Sequence, residues 1–143
     1  MTDFPVTIFH NPACGTSRNV VSMVEAAGYR PEVAEYLKAG WTLDQLKALF
    51  AEAGLTPREA MREKGASATE LGLLDPGTPD NAILAAMVEH PVLVNRPIVR
   101  TPKGVALCRP SERVLDLLER TPAEFVKEDG EVVVPASSSA NTR

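Results

Sequence analysis

A change of hydrophobic period inside residues 5–37 narrows the fold more than any other feature of the chain. Val6-Thr7-Ile8-Phe9 is short, β-branched and aromatic, and Pro5 and Asn11-Pro12 bound it, which is the pattern of a strand. Over residues 16–27 the period lengthens. Val20, Met23, Val24 and Ala27 recur at helical spacing, and Gly28 stands where a helix C-terminal glycine belongs. Residues 32–37 return to a strand pattern, so residues 5–37 form a candidate βαβ unit with a parallel pair, a crossover that is right-handed almost without exception.

The following residues change character. Thr42 and Gln45 have capping-box spacing, and Leu43, Leu46, Leu49, Phe50 and Ala53 follow with Gly54 as stop. Thr56-Pro57-Arg58-Glu59 repeats the device and opens a short helix expected to end near Gly65. Asp75-Pro76-Gly77 makes a turn, and Thr78-Pro79 opens a helix through Val88, stopped by Pro91. Residues 42–90 are thus expected to be a mostly helical insertion. Val92–Val94, Ile98–Arg100 and Val105–Leu107 read as strands, the last two joined as a hairpin through Pro102-Lys103-Gly104. Ser111–Arg120 reads as a closing helix with Val114, Leu115, Leu117 and Leu118 on its buried side. The expected fold class is α/β, a mixed sheet built as β-α-β then β-β-α with the helical insertion between the halves. One domain over residues 1–132 is expected, with a disordered tail over 133–143, because Pro135 to Arg143 are small and polar.

At 143 residues the chain is about one domain long, enough to bury roughly two-thirds of its unfolded surface without a metal or disulfide. A net charge of -4 argues against a general nucleic-acid footprint, so any anion site must be local. No window approaches the ~18 apolar residues of a membrane span, and the start MTDFPVTIFH lacks a basic region followed by a long apolar run. The expected location is cytoplasmic, with no membrane and no nucleic acid as partners. Two cysteines far apart then read as reduced thiols, and with only two histidines a zinc site is not expected.

Cys14 lies in HNPACGTSR, the turn between the first strand and the first helix. There a thiol faces backbone NH groups that have no intrahelical partner and the positive end of the helix dipole, and both favour thiolate. Gly15 lets a ligand approach the backbone, while Thr16 and Ser17 offer hydroxyl donors beside the same NH groups. Such a loop can bind an oxyanion and attack it. The bland reading, a small buried hydrophobe, fits Cys108 better, since Val105-Ala106-Leu107-Cys108 looks like the end of a core strand, although Arg109 beside it could lower its pKa. Ser17 stands where a dithiol redox loop would place its second cysteine, so any resolving thiol comes from elsewhere. Cys14 and Arg18 are too close for the five-residue spacing of the cysteine phosphatases.

The thiolate at a helix start, the β-α-β then β-β-α order and the Asn95-Arg96-Pro97 junction resemble the thioredoxin superfamily, where the junction proline is typically cis and faces the active cysteine. More narrowly, HNPACGTSRN, HPVLVNRPIV and ALCRPSERVLDLL resemble the single-cysteine, glutaredoxin-dependent arsenate reductases, from about Val6 to about Val132. The resemblance implies that Cys14 attacks arsenate and that Arg62, Arg96 and Arg109 surround the oxyanion. Guanidinium groups suit that task, being bidentate donors that stay charged. Taken singly, each arginine reads more readily as a solvated surface charge, Arg96 between Asn95 and Pro97 least so. The resemblance also makes His10 a supporting residue near the thiolate, against the alternative of a strand-end histidine held for structural reasons. Asn11 and Asn95 would polarise the loop, and Thr16, Ser17 and Arg18 would serve binding and the helix start.

The expected function is an oxidoreductase that reduces arsenate to arsenite through a Cys14 thiol-arsenate adduct, resolved by glutathione as co-substrate and by a glutaredoxin, with no tightly bound cofactor. Two alternatives remain open at this level: a redox-sensing regulator similar to the Spx-type proteins, and a glutathione-dependent thiol reductase without arsenate activity. Ser17 counts against the first, since those regulators usually carry two cysteines in this loop.

Overall fold

The structure is a computed structural model that describes residues 4–64, 66–122, 125–128, 130 and 132–134. The chain divides into two compact units, residues 1–34 with 96–143 and residues 35–95.

The first unit is built on β1 (Thr7–His10), α1 (Gly15–Ala26), β2 (Glu32–Glu35), β3 (Ile98–Thr101) and β4 (Gly104–Leu107). The strands form one mixed sheet in the order β2-β1-β3-β4. The Glu32 NH donates to the Val6 carbonyl at 2.8 Å where β2 meets β1. β1 and β3 are antiparallel with Phe9 opposite Ile98, and β3 and β4 are antiparallel with Ile98 opposite Leu107. This register brings the end of β1, the start of β3 and the end of β4 to one edge of the sheet. α1 ends as its sequence requires, with Gly28 at φ +97° just beyond Ala27. The side of α1 carrying Val20, Met23 and Val24 packs with Ile8, Val99, Cys108, Val114 and Leu117 in one core cluster.

The closing segment is a 3-10 helix over Ser111–Leu117 rather than the α-helix expected to Arg120. Its i→i+3 bonds, such as Leu118 NH to Leu115 O at 3.2 Å, put Ser111, Val114 and Leu117 on one buried line. Beyond Leu118 the NH groups of Glu119 and Arg120 both donate to the Tyr29 hydroxyl at 3.0 Å, which ends the helix early. A small antiparallel ribbon, β5 (Phe125–Val126) with β6 (Val132–Val134), was not expected from the sequence. The expected tail boundary after Val132 falls inside β6, and residues 135–143 lie outside the described residues.

The second unit holds α2 (Tyr36–Ala39), α3 (Leu43–Ala53), α4 (Pro57–Ala60), α5 (Ala66–Glu70), α6 (Asp80–Glu89) and a 3-10 turn over Pro91–Leu93. The strand expected to reach Leu37 stops at Glu35, because Tyr36 turns inward, stacks on Trp41 at 5.1 Å and donates its hydroxyl to the Val94 carbonyl at 2.8 Å. Both capping boxes form as read, Thr42 with Gln45 and Thr56 with Glu59. The helix opened by Pro57 ends at Ala60, well before Gly65, which is outside the described residues. Met61 is extended there and bridges to Val94, and the Arg62 NH donates to the Leu93 carbonyl at 2.7 Å. Val92–Val94 is accordingly no strand: the NH groups of Leu93 and Val94 are taken by His90 and Pro91 carbonyls in a tight turn.

Ile8 is fully buried at the centre of the sheet. Ile8→Ala is expected to cost about 2–5 kcal/mol, measured as a lower urea midpoint at unchanged m value; a loss under about 1 kcal/mol would show that the surrounding core collapses into the gap.

Candidate active site

The turn after β1 is wound by its own backbone. The Asn11 side-chain oxygen accepts from the Ala13 NH at 2.9 Å, the Cys14 NH donates to the Asn11 carbonyl at 3.0 Å, and the Arg18 NH closes the first helical bond onto the Cys14 carbonyl at 3.0 Å. Cys14 is therefore the N-cap of α1, in extended backbone with φ -98° and ψ 122°. Ser17 locks the turn from below. Its fully buried hydroxyl accepts from the Asn11 NH at 3.1 Å and lies 2.6 Å from His10 Nδ1. That hydroxyl is engaged inside the protein, where it meets the buried His10.

Two of the predicted arginines meet the cysteine in this unit. Arg109 Nη1 donates to the Arg96 carbonyl at 2.8 Å and lies 3.7 Å from Cys14 Sγ. Arg96 is buried, and the Arg96–Pro97 bond that follows it is cis. Pro97 in turn offers its carbonyl to the Cys108 NH at 2.9 Å, tying the junction to the end of β4. The half-buried Cys14 sulfur is pushed up by desolvation. The Ser17 NH, hydrogen bonds from Arg96 and Arg109 and the Arg96 charge outweigh that, and the thiol titrates below its ordinary value. Cys108 is the opposite case: fully buried beneath the sheet edge, its thiol is pushed up to about 12 by burial, against a smaller lowering by Arg113. Of the two cysteines, Cys14 is the one whose surroundings favour the thiolate.

The remaining candidates fall as follows. Gly15 is the first helical residue, has no positive φ, and has room for a Cβ at ordinary contact distance, so its backbone conformation does not demand glycine. Thr16 is partly exposed on the first turn, and Asn95 donates its NH to the Ala60 carbonyl at 2.8 Å. Arg62 belongs to the second unit, its backbone held at the Met61–Val94 bridge. Arg18, read as serving binding and the helix start, forms a two-pronged ion pair with Glu128, 110 residues away. No local pattern in the sequence links those two. In the second unit a groove of about 620 Å³ runs between α3 and α6, and none of the predicted site residues line it. Among the described residues no group of three or more His, Cys, Asp or Glu could hold a metal ion, and no helix is long and apolar enough to cross a membrane.

The sequence model of the ArsC family matches residues 9–117, a stretch that contains Cys14, Arg62, Arg96 and Arg109. The chain is 60% identical over 135 residues to an arsenate reductase of Synechocystis sp., covering 94% of each protein. It is 45% identical over 130 residues to the arsenate reductase of Escherichia coli, covering 90% of this chain and 92% of the relative. Among solved structures, an arsenate reductase from Vibrio cholerae superposes with a TM-score of 0.77 at 39% identity, over 82% of this chain and all of the other.

A thiol with a lowered pKa holds more thiolate at any pH below its ordinary midpoint, so alkylation of Cys14 by iodoacetamide is expected to stay fast below about pH 8.5. Arg109→Gln removes one of the lowering contacts and should move the midpoint of that rate to higher pH. Peptide mass spectrometry should find the label on Cys14 and none on Cys108 in the folded protein; label on Cys108 would contradict its burial.

Proposed function

The chain belongs to the ArsC family and reduces arsenate, and we propose that it does so with Cys14 as nucleophile, arginines as the oxyanion cradle and glutathione with a glutaredoxin as the source of electrons. The observation that carries this reading is the Arg109 guanidinium 3.7 Å from a half-buried sulfur whose pKa is lowered.

The chemistry follows from the residues. Arsenate binds at the helix start, where free NH groups and the guanidiniums of Arg96 and Arg109 neutralise its charge. Arg62 joins them on the strength of its match to the family motif alone. The Cys14 thiolate attacks arsenic, a sulfur–arsenic bond forms, and one arsenic–oxygen bond breaks with the oxygen leaving as water after protonation. Donors already aimed at the oxyanion stabilise the charge of that transition state without reorganising. Glutathione then attacks arsenic, forming a second sulfur–arsenic bond as another oxygen leaves as water. Attack of a glutaredoxin thiolate on the glutathione sulfur breaks that bond, forms a glutaredoxin–glutathione disulfide and leaves two electrons on arsenic, and water then breaks the bond to Cys14, releasing arsenite and the free thiol. The burial of Cys108 supports an external thiol as the resolving partner. His10 and Asn11 serve the loop through Ser17 and Ala13, and Pro97 shapes the sheet edge facing it.

We infer one functional domain over residues 1–132, since the family match runs without a break through both units. A cytoplasmic location agrees with a reaction that draws on reduced glutathione.

Oxidation of NADPH in a mixture of the protein, arsenate, glutathione, glutaredoxin and glutathione reductase tests the reading. Turnover is expected to depend on arsenate, to be lost in Cys14→Ser and to persist in Cys108→Ser. Arsenate-dependent turnover that survives Cys14→Ser would remove Cys14 from the mechanism.

A further inference from the structure

We propose that Glu128 is a positioning residue that sets the anion affinity of this site: by holding Arg18 in an ion pair it masks a positive charge beside Cys14 and limits how tightly the loop retains an oxyanion. The inference rests on the reading of Cys14 as a thiolate inside an oxyanion cradle.

Arg18 follows Cys14 by four residues, one turn along α1, and its NH bonds directly to the Cys14 carbonyl. A guanidinium there could add another donor for a tetrahedral anion seated on the helix start. It is otherwise engaged. Arg18 Nε donates to Glu128 Oε2 and Nη2 to Oε1, both at 2.9 Å, while Nη1 donates to the Pro12 carbonyl at 2.8 Å. The pair lies over the loop, since a Cβ built on Gly15 would come within 3.7 Å of Arg18 Nη2 and 3.8 Å of Glu128 Oε1.

Glu128 is placed there by its backbone. Its NH donates to the Asn19 side-chain oxygen at 3.1 Å, and the preceding Lys127 is paired with Glu112 at 2.8 Å. The first turn of α1 has no acidic residue of its own, so Glu128 brings a negative charge to a helix start that otherwise lacks one. The Arg18 guanidinium is held charged first by its hydrogen bond to Glu128, then by the Glu128 charge, and also by the Cys14 sulfur, which places it within electrostatic reach of the thiolate. The side chains are 43% and 48% exposed, so water readily replaces either partner and a neutral amide at 128 leaves the Arg18 charge unbalanced. With the charge masked, Arg96 and Arg109 are the cradle's donors in this unit. Binding energy that would hold substrate and competing anions equally is then withheld.

The test compares wild type, Glu128→Gln and the Arg18→Met/Glu128→Gln double variant. It reads KM for arsenate, inhibition by inorganic phosphate and the pH midpoint of Cys14 alkylation, with thermal melting as a check of folding. Glu128→Gln is expected to lower both the arsenate KM and the phosphate inhibition constant roughly threefold and to move the alkylation midpoint to lower pH. The double variant should lose all three effects. A purely structural strut predicts the reverse, a raised KM with an unchanged or higher midpoint, and that result overturns the proposal. If Glu128→Gln does not fold, Glu128→Ala is read in the same way. Absence of arsenate turnover in wild type would defeat the reductase reading, while the alkylation midpoints would still decide the masking of Arg18.

Discussion

The site depends on strand register. Because Phe9 stands opposite Ile98 and Ile98 opposite Leu107, the segments leaving β1, entering β3 and leaving β4 all reach the same sheet edge. Cys14, Arg96 and Arg109 lie a few residues beyond those strand ends, and the Pro97–Cys108 bond holds the second and third segments together. A slip of one residue in either pairing would turn the core-facing side chains of β3 outward and carry the arginines off the cysteine. The buried pair of Ile8 and Val99 therefore protects the chemistry as well as the core.

On that frame the loop resolves a conflict between two electrostatic demands. A nucleophilic thiol needs a dry enough setting for its hydrogen bonds to be strong, yet drying alone favours the neutral form. Cys14 is half-buried, and the desolvation that opposes the thiolate is exceeded by donors from three places: the helix start, the β3 junction and the end of β4. Ser17 and Asn11 fix the turn, and Arg109 is fastened to the Arg96 carbonyl. Such fixed dipoles stabilise developing charge without having to move.

Local signals in the sequence were sufficient where structure is local. The strand before Asn11, the helix ended by Gly28, both capping boxes and the hairpin through Pro102–Gly104 follow from nearest neighbours along the chain. The errors share one cause. Tyr36, Met61 and Val94 take their conformations from each other across the second unit, so the strand end at Glu35, the short α4 and the 3-10 turn before Val94 could not be read from periodicity. The early end of the Ser111 helix depends on the distant Tyr29 hydroxyl in the same way. β5 is two residues long, below any pattern. Among the site residues, Cys14 was legible because its environment is its own loop, whereas the partner of Arg18 lies in that ribbon's turn, 110 residues along the chain, and only the fold pairs them.

The two cysteines show how far position outweighs residue type. Both belong to the first unit, and the same core cluster that packs α1 contains Cys108. Cys108 follows β4 in the core cluster, and its sulfur donates to the Ala106 carbonyl at 3.7 Å, an acceptor that disfavours negative charge. Cys14 begins a helix, where the Ser17 NH donates to its sulfur. The surroundings of one thiol thereby favour its thiolate, and those of the other oppose it. In the proposed mechanism the burial of Cys108 and the serine at position 17 both leave the resolving step to thiols from outside the chain.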